Sequence, residues 1–190
     1  MERSEAWQLV CTYTESESLR RHMLAVEYAM RYYAVLFGED EALWGLVGLL
    51  HDFDYEQNPD VSIEGHPLVG AKILREKGVD EVVIRAILSH AAEITGQEPE
   101  SKLEKTLVAV DELTGFIIAA ALVRPSKSVV DLNLKSIKKK WKTKAFAAPV
   151  NREEIEQATE LLGLSLDEHI ENVLKAMQLH ADDLGLGLTE

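Results

Sequence analysis

The sequence predicts an all-α protein, a compact single-domain helical bundle spanning residues 1–190. Three observations predict it. Apolar residues make up 46% of the chain, with Leu, Ala, Glu and Lys dominant, Gly and Pro sparse, and hairpin dipeptides such as Asn-Gly missing. Apolar side chains recur at three- and four-residue steps over long stretches, the period of an amphipathic helix. Those stretches are bounded by residues that start and stop helices. A chain of 190 residues is also long enough to bury a sizeable core without disulfides or structural zinc.

The first long helix is announced by Thr14-Glu15-Ser16-Glu17, read as a capping box in which hydroxyl and carboxylate satisfy opposite backbone donors. Leu19, Met23, Val26, Met30, Tyr33 and Phe37 form its apolar face, which His22 shares, and Gly38 stops it. A second helix runs from Glu41 to Leu50 and ends directly in His51-Asp52. His66-Pro67 suits a helix start, because proline at the first helical position sacrifices no hydrogen bond. Leu68, Ala71 and Leu74 continue that helix, and Gly78 closes it. Asp80 caps the next, along which Val83, Ile87 and His90 share a face. Ser101-Lys102-Leu103-Glu104 is a second box and opens a helix through Leu103, Leu107, Val110 and Thr114 that carries Asp111.

From Pro125 to Pro149 the pattern breaks, giving a loop with one short basic helix around Ile137 to Trp141. Two more helices follow, Asn151 to Leu162 and a last one opened by Ser165-Leu166-Asp167-Glu168 and continued by Ile170, Val173, Leu174 and Met177. Tyr32, Tyr33, Trp44 and Trp141 read as core or half-buried aromatics. His169 and His180, beside Glu168 and Asp182, read as ordinary exposed residues. No repeat or linker divides the chain.

Cys11 is the lone cysteine, which excludes an intrachain disulfide, a CxxC zinc site and a redox pair, and makes a cytoplasmic setting the default. The N-terminal residues show no basic leader before an apolar run, and the longest apolar stretch, Leu113 to Val123, is too short to span a bilayer. The expectation is no membrane. A formal charge of −13 argues against binding a nucleic-acid polymer, since phosphate affinity needs a positive surface. Oligomeric state is open, a homodimer included. The charge is uneven: Arg124, Lys127, Lys135, Lys138, Lys139, Lys140, Lys142 and Lys144 stand against the single acid Asp131.

Chemistry concentrates elsewhere. Of six histidines, His22, His51, His66 and His90 fall on apolar helical faces or at helix ends, with Asp52 and Asp111 at matching positions. One histidine on an apolar face is usually a satisfied core residue. Four with two aspartates are hard to explain that way. Imidazole nitrogens with carboxylate oxygens hold divalent transition metals and leave positions open for water, whereas an all-oxygen set suits calcium or magnesium. No Gly-x-Ser-x-Gly elbow or reactive-cysteine signature offers a nucleophilic side chain.

The order His22, His51-Asp52, His66, His90, Asp111 resembles the HD superfamily of metal-dependent phosphohydrolases over a motif core at residues 18–115, leaving residues 124–190 as a C-terminal helical extension. His66-Pro67-Leu68-Val69-Gly70-Ala71 resembles the His-Pro-x-x-Gly segment of the branch often labelled HDIG. The resemblance implies a helical bundle of the HD-domain type, with His22, His51, Asp52 and Asp111 on a first metal and Asp52, His66 and His90 on a second. One or two divalent ions among Fe, Mn, Ni, Co and Zn are expected. A bridging Asp52 would hold the two ions ~3.5–4 Å apart, and a hydroxide between them would attack phosphorus.

Asp52, His66 and His90 are the catalytic residues on that reading, and the substrate is a small phosphate ester, a nucleotide in the first instance. Two readings share the ligand set: a mixed-valent di-iron oxygenase of the same superfamily, and a metal-stabilised regulatory module without activity. His51-Asp52-Phe53-Asp54-Tyr55 departs from the His-Asp-Ile-Gly-Lys of cyclic-dinucleotide hydrolases and lacks its lysine. Arg124 and Lys127 are the candidate substrate-binding cations, folding back toward an anionic substrate. Asp54 is placed either to orient a ligand histidine or to face solvent.

Overall fold

The computed structural model describes residues 1–188 and is helical almost throughout. The order is α1 (Arg3–Tyr13), α2 (Glu17–Phe37), α3 (Glu41–Leu50), a two-residue pairing of β1 (Val61–Ser62) with β2 (His66–Pro67), α4 (Leu68–Glu76), α5 (Glu81–Ser89), α6 (Ala92–Thr95), α7 (Lys102–Leu122), α8 (Leu134–Trp141), α9 (Arg152–Leu161) and α10 (Leu166–Leu179). Among the described residues no helix is long and apolar enough to cross a membrane.

The two longest helices form the centre. α2 packs most extensively on α3 and also against α7 and α10, while α7 is flanked by α9, α10 and α5. Met23, Val26, Met30 and Tyr33 of α2 and Leu107, Val110, Leu113 and Phe116 of α7 are all buried in one apolar core. The α2–α3 approach is close because Gly48 faces the α2 backbone: a Cβ there would lie 2.9 Å from the Cα of Glu27. That contact brings the C-terminal end of α3, and with it His51, beneath α2. α1 is held by an ion pair from Arg3 to the buried Glu27, which Arg31 also contacts.

Helix boundaries follow side-chain caps. Asp40, Asp80, Ser101, Asn151 and Ser165 each accept from the first turn of the helix they open. Two starts differ from the sequence reading. Ser16, not Thr14, caps α2; the Thr14 hydroxyl instead donates to the carbonyl of Phe53 at 3.0 Å and anchors the turn that carries Asp52. Pro67 occupies the cap of α4 rather than its first turn, after a cis His66–Pro67 peptide, and supplies no side-chain cap. A remote residue supplies it, as shown below.

His169 corrects a third reading. It is fully buried, not exposed: its Nε2 donates to the carbonyl of Ala109 at 2.8 Å and its Nδ1 accepts from the Tyr33 hydroxyl at 2.6 Å, tying α10 to α7 and α2. Burial pushes this imidazole down to about 4. His180 is partly exposed and stacks on Tyr28.

Candidate metal centre

Six side chains from five elements and their junctions converge at one end of the α2–α7 pair. His22 comes from α2, His51 and Asp52 from the end of α3, His66 from β2, His90 from the C-cap of α5 and Asp111 from α7. Five of them form two groups that share Asp52, and Asp111 adjoins the first through His22 and His51. In the first, His22 Nε2 lies 3.0 Å from Asp111 Oδ1 and 3.8 Å from Asp52 Oδ2, and His51 Nε2 lies 3.4 and 3.5 Å from the same two oxygens. In the second, His66 Nε2 and His90 Nε2 lie 3.2 and 3.6 Å from Asp52 Oδ1. One oxygen of Asp52 faces each group.

The opposite nitrogen of every ring is engaged outside the cluster. His51 Nδ1 is 2.8 Å from the carbonyl of Gly48, His66 Nδ1 is 2.8 Å from Asp54 Oδ1, and His90 Nδ1 meets the carbonyl of Ile87. His22 Nδ1 is 3.3 Å from Thr114 Oγ1, whose hydroxyl donates to the carbonyl of Asp111 and so accepts from the ring. Each partner is an acceptor, so each Nδ1 carries the hydrogen and each neutral Nε2 turns a lone pair inward. His22 and His51 then oppose their Nε2 atoms at 3.3 Å, and His66 and His90 at 3.1 Å. Lone pairs at such distances repel unless a positive charge lies between them, and this donor set fits a transition-metal cation there.

Without a cation, protons on the rings supply the positive charge that the cluster calls for. Burial opposes charging the His51 ring, but Asp52 and Asp111 outweigh it and lift the imidazole to about 9. His66 rises to about 9 in the same way, against burial, through Asp52 and Asp54. Asp52 and Asp111 are themselves held well below the carboxylate range, because the neighbouring rings outweigh their burial.

Asp54, the side chain with two possible roles in the sequence, is 1% exposed. Its Oδ1 receives His66 and its Oδ2 accepts the backbone N–H of Gly70 at 2.8 Å, in the first turn of α4. It therefore orients a candidate ligand and caps a helix whose own cap residue is proline. Gly70 is required by that contact, since a Cβ would lie 2.6 Å from Asp54 Oδ1.

A cavity of about 1000 Å³ opens on the cluster, lined by five of the six residues; His51 lies sealed beneath. Its walls include Tyr55, Glu93, Glu98 and Lys105, together with Glu112 from α7 and Asn151, Glu154 and Gln157 from α9 and its cap. Burial, with Asp111 and Glu154 nearby, raises Glu112 to about 7. Sequence reasoning missed these wall residues. Lys105, Val108, Glu112 and Gly115 lie at helical steps on the α7 face that carries Asp111 and were legible on that ground, whereas the α9 residues arrive only through packing.

Arg124 and Lys127 do not line the cavity. Arg124 lies thirteen residues beyond Asp111, about 20 Å along a helical axis. The following segment is tied away from the site, with Ser128 Oγ and Val129 N both donating to the carbonyl of Leu186. Of the remaining lysines, Lys138 pairs with Asp167 and Lys140 lies over Phe146.

Fold and site together define an all-α protein with a histidine–aspartate cluster of metal-binding type. The family profile described as the HD domain matches residues 19–115, and the chain belongs to that family, whose members are mostly metal-dependent hydrolases. Over 91 residues it is 31% identical to Ribonuclease Y of Rhodopirellula baltica, a match covering 48% of this chain and 17% of that protein. No solved structure matches the chain to a significant degree.

Proposed function

We propose that the chain is a metal-dependent phosphohydrolase acting on a small phosphate ester, a nucleotide being the first class to test. The observation that carries this reading is the division of Asp52 between two clusters, with every imidazole held so that Nε2 points inward. His22, His51, Asp52 and Asp111 would hold one cation and Asp52, His66 and His90 a second. Divalent ions held there would lower the pKa of a bound water and neutralise charge on phosphoryl oxygens.

The chain's own residues do the rest. Gly48, Asp54, Ile87 and Thr114 fix the rings through their Nδ1 atoms, and the apolar floor around Leu50 and Phe53 keeps bulk water from the underside of the cluster. The cavity leaves room for substrate on the open side. Its largely acidic walls, with the overall charge of −13, favour a small ester over a nucleic-acid polymer.

Phosphate release is measured across phosphate monoesters and nucleotides with Mn, Co, Ni, Fe or Zn, for the wild-type chain and Asp52→Ala. Metal-dependent release that the variant loses supports the reading. Failure with every metal across the panel overturns it, and oxygen consumption with a mixed-valent iron signal would replace it by the oxygenase chemistry. A His51→Ala chain that loses metal yet keeps its biological function would point to a regulatory module.

A further inference from the structure

The cavity walls carry one sign of charge almost throughout. Asp52, Glu93, Glu98, Asp111, Glu112 and Glu154 line it, and Lys105 is the one lysine or arginine among its lining residues. Lys105 is also unpaired. Its neighbours Lys102 and Glu104 form ion pairs with Glu39 and Arg85, whereas the Lys105 ammonium has no ion-pair partner among the described residues. It stands on α7 six residues before Asp111, about 9 Å along the helix axis. Between them the cavity stripe presents only the short apolar side chain of Val108.

We propose that Lys105 sets the specificity of this site by binding a second anionic group, a phosphate or a carboxylate, at the end of the substrate remote from the reacting phosphoryl group. The inference rests on the phosphohydrolase reading above and adds the substrate's charge pattern to it. The other charged side chains of the lining, the candidate ligand histidines aside, are carboxylates, so Lys105 is the one fixed cation there to receive an extra negative charge. A polyphosphate chain, with several charges in a row, would bring more negative charge among the carboxylates of Glu93, Glu98, Glu112 and Glu154 than one lysine offsets. A substrate with an anion at each end and a neutral body between them fits the stripe from Asp111 through Val108 to Lys105.

The test is equilibrium binding of three rigid phosphonates that cannot be hydrolysed, to the manganese-loaded full chain: phenylphosphonate, 4-phosphonobenzoate and 1,4-phenylenediphosphonate. The wild-type chain is expected to prefer a two-anion ligand over phenylphosphonate by about 10- to 100-fold, the size of a hydrogen bond to a charged group. Lys105→Met removes that preference and Lys105→Arg retains it. Which two-anion ligand shows the preference identifies the second anion as carboxylate or phosphate. Absence of a two-anion preference in the wild-type chain, or its survival in Lys105→Met, overturns the proposal. The binding ratio is read without turnover, so failure to release phosphate counts against the hydrolase reading alone.

Discussion

Replacing Asp54 by Asn tests whether the hydrogen bonds behind the cluster govern its affinity for cations. Asp54 accepts two hydrogens at 2.8 Å, from His66 Nδ1 and Gly70 N, and is 1% exposed. An amide of the same shape has one oxygen, so it can serve only one of the two donors, and its NH2 faces the other. If it serves Gly70, His66 relieves the clash by moving its hydrogen to Nε2, where it blocks the lone pair aimed at the second position. Loss of such an outer partner lowers metal affinity by about 10- to 100-fold.

The loss should be confined to the position shared by Asp52, His66 and His90, because His22 and His51 rest on Thr114 and Gly48. Asp54→Ala goes further and leaves two buried donors unsatisfied, costing about 2–6 kcal/mol at ~1–3 kcal/mol each. Competition titration against a chromophoric chelator resolves the two positions, and urea unfolding of the metal-free chains gives the stability. A folded Asp54→Asn chain that binds two equivalents with wild-type affinity would refute the reasoning.

Further outcomes follow from the same geometry. Gly70→Ala places a Cβ 2.6 Å from Asp54 Oδ1, so it should cost about 1–3 kcal/mol of stability and weaken the same metal position as Asp54→Asn, both read in the assays above. Gly48→Ala forces α3 off α2 and should destabilise by a similar ~1–3 kcal/mol, with the first metal position affected because His22 and His51 separate and the second through Asp52, which follows α3. Metal-free stability should be nearly level between about pH 4.5 and 6.5 and should fall above 6.5. Across the level stretch the Glu112 carboxyl, raised from 4.5 to about 7, loses its contribution with rising pH as His169 gains its own. His51 and His66 are raised from 6.5 to about 9, so their contribution is complete below 6.5 and is lost as pH rises toward 9. His169 is lowered to about 4, so its contribution is complete above 6.5 and is lost as pH falls toward 4. Thermal unfolding against pH in chelator checks the level stretch and the alkaline limb, and added Mn should flatten the alkaline limb alone, since a cation replaces the protons shared by the rings and carboxylates.

Periodicity and caps made most of the bundle readable, because each long helix buries one face and begins at a side-chain acceptor. α1 was unread because Arg3–Tyr13 carries only a weak apolar stripe, Ala6, Leu9 and Val10. It is placed by burying that stripe in the core and by an ion pair from Arg3 to Glu27, a contact 24 residues away in sequence. Thr14 was misread because a hydroxyl near a helix start serves equally as a cap or as a tertiary donor, and only packing against Phe53 decides. His169 could have been read: it lies four residues before Val173 and eight before Met177 on the buried face of α10, but its acidic neighbour Glu168 outweighed that spacing.

At the centre, residue type and order were enough to bring six side chains into one list, and the structure brings all six into one place. The outer hydrogen bonds were not legible in the same way. Gly48 and Ile87 act through backbone carbonyls that carry no sequence signature, and Thr114 acts across an α2–α7 contact. Arg124 and Lys127, the candidate substrate-binding cations, are not brought to the cavity, because α7 runs on to Leu122 before Arg124 and so carries it away from Asp111.

Four rings locked in one tautomer have a practical consequence for whoever purifies the protein. The cluster's nitrogen and oxygen atoms suit a divalent cation, but such donors discriminate weakly among neighbouring first-row elements, whose order of affinity is common to most such sites. Which element the chain carries should therefore track what the growth medium offers while it folds, and preparations from iron-, manganese- and zinc-supplemented cultures should be compared before any rate is assigned to the polypeptide.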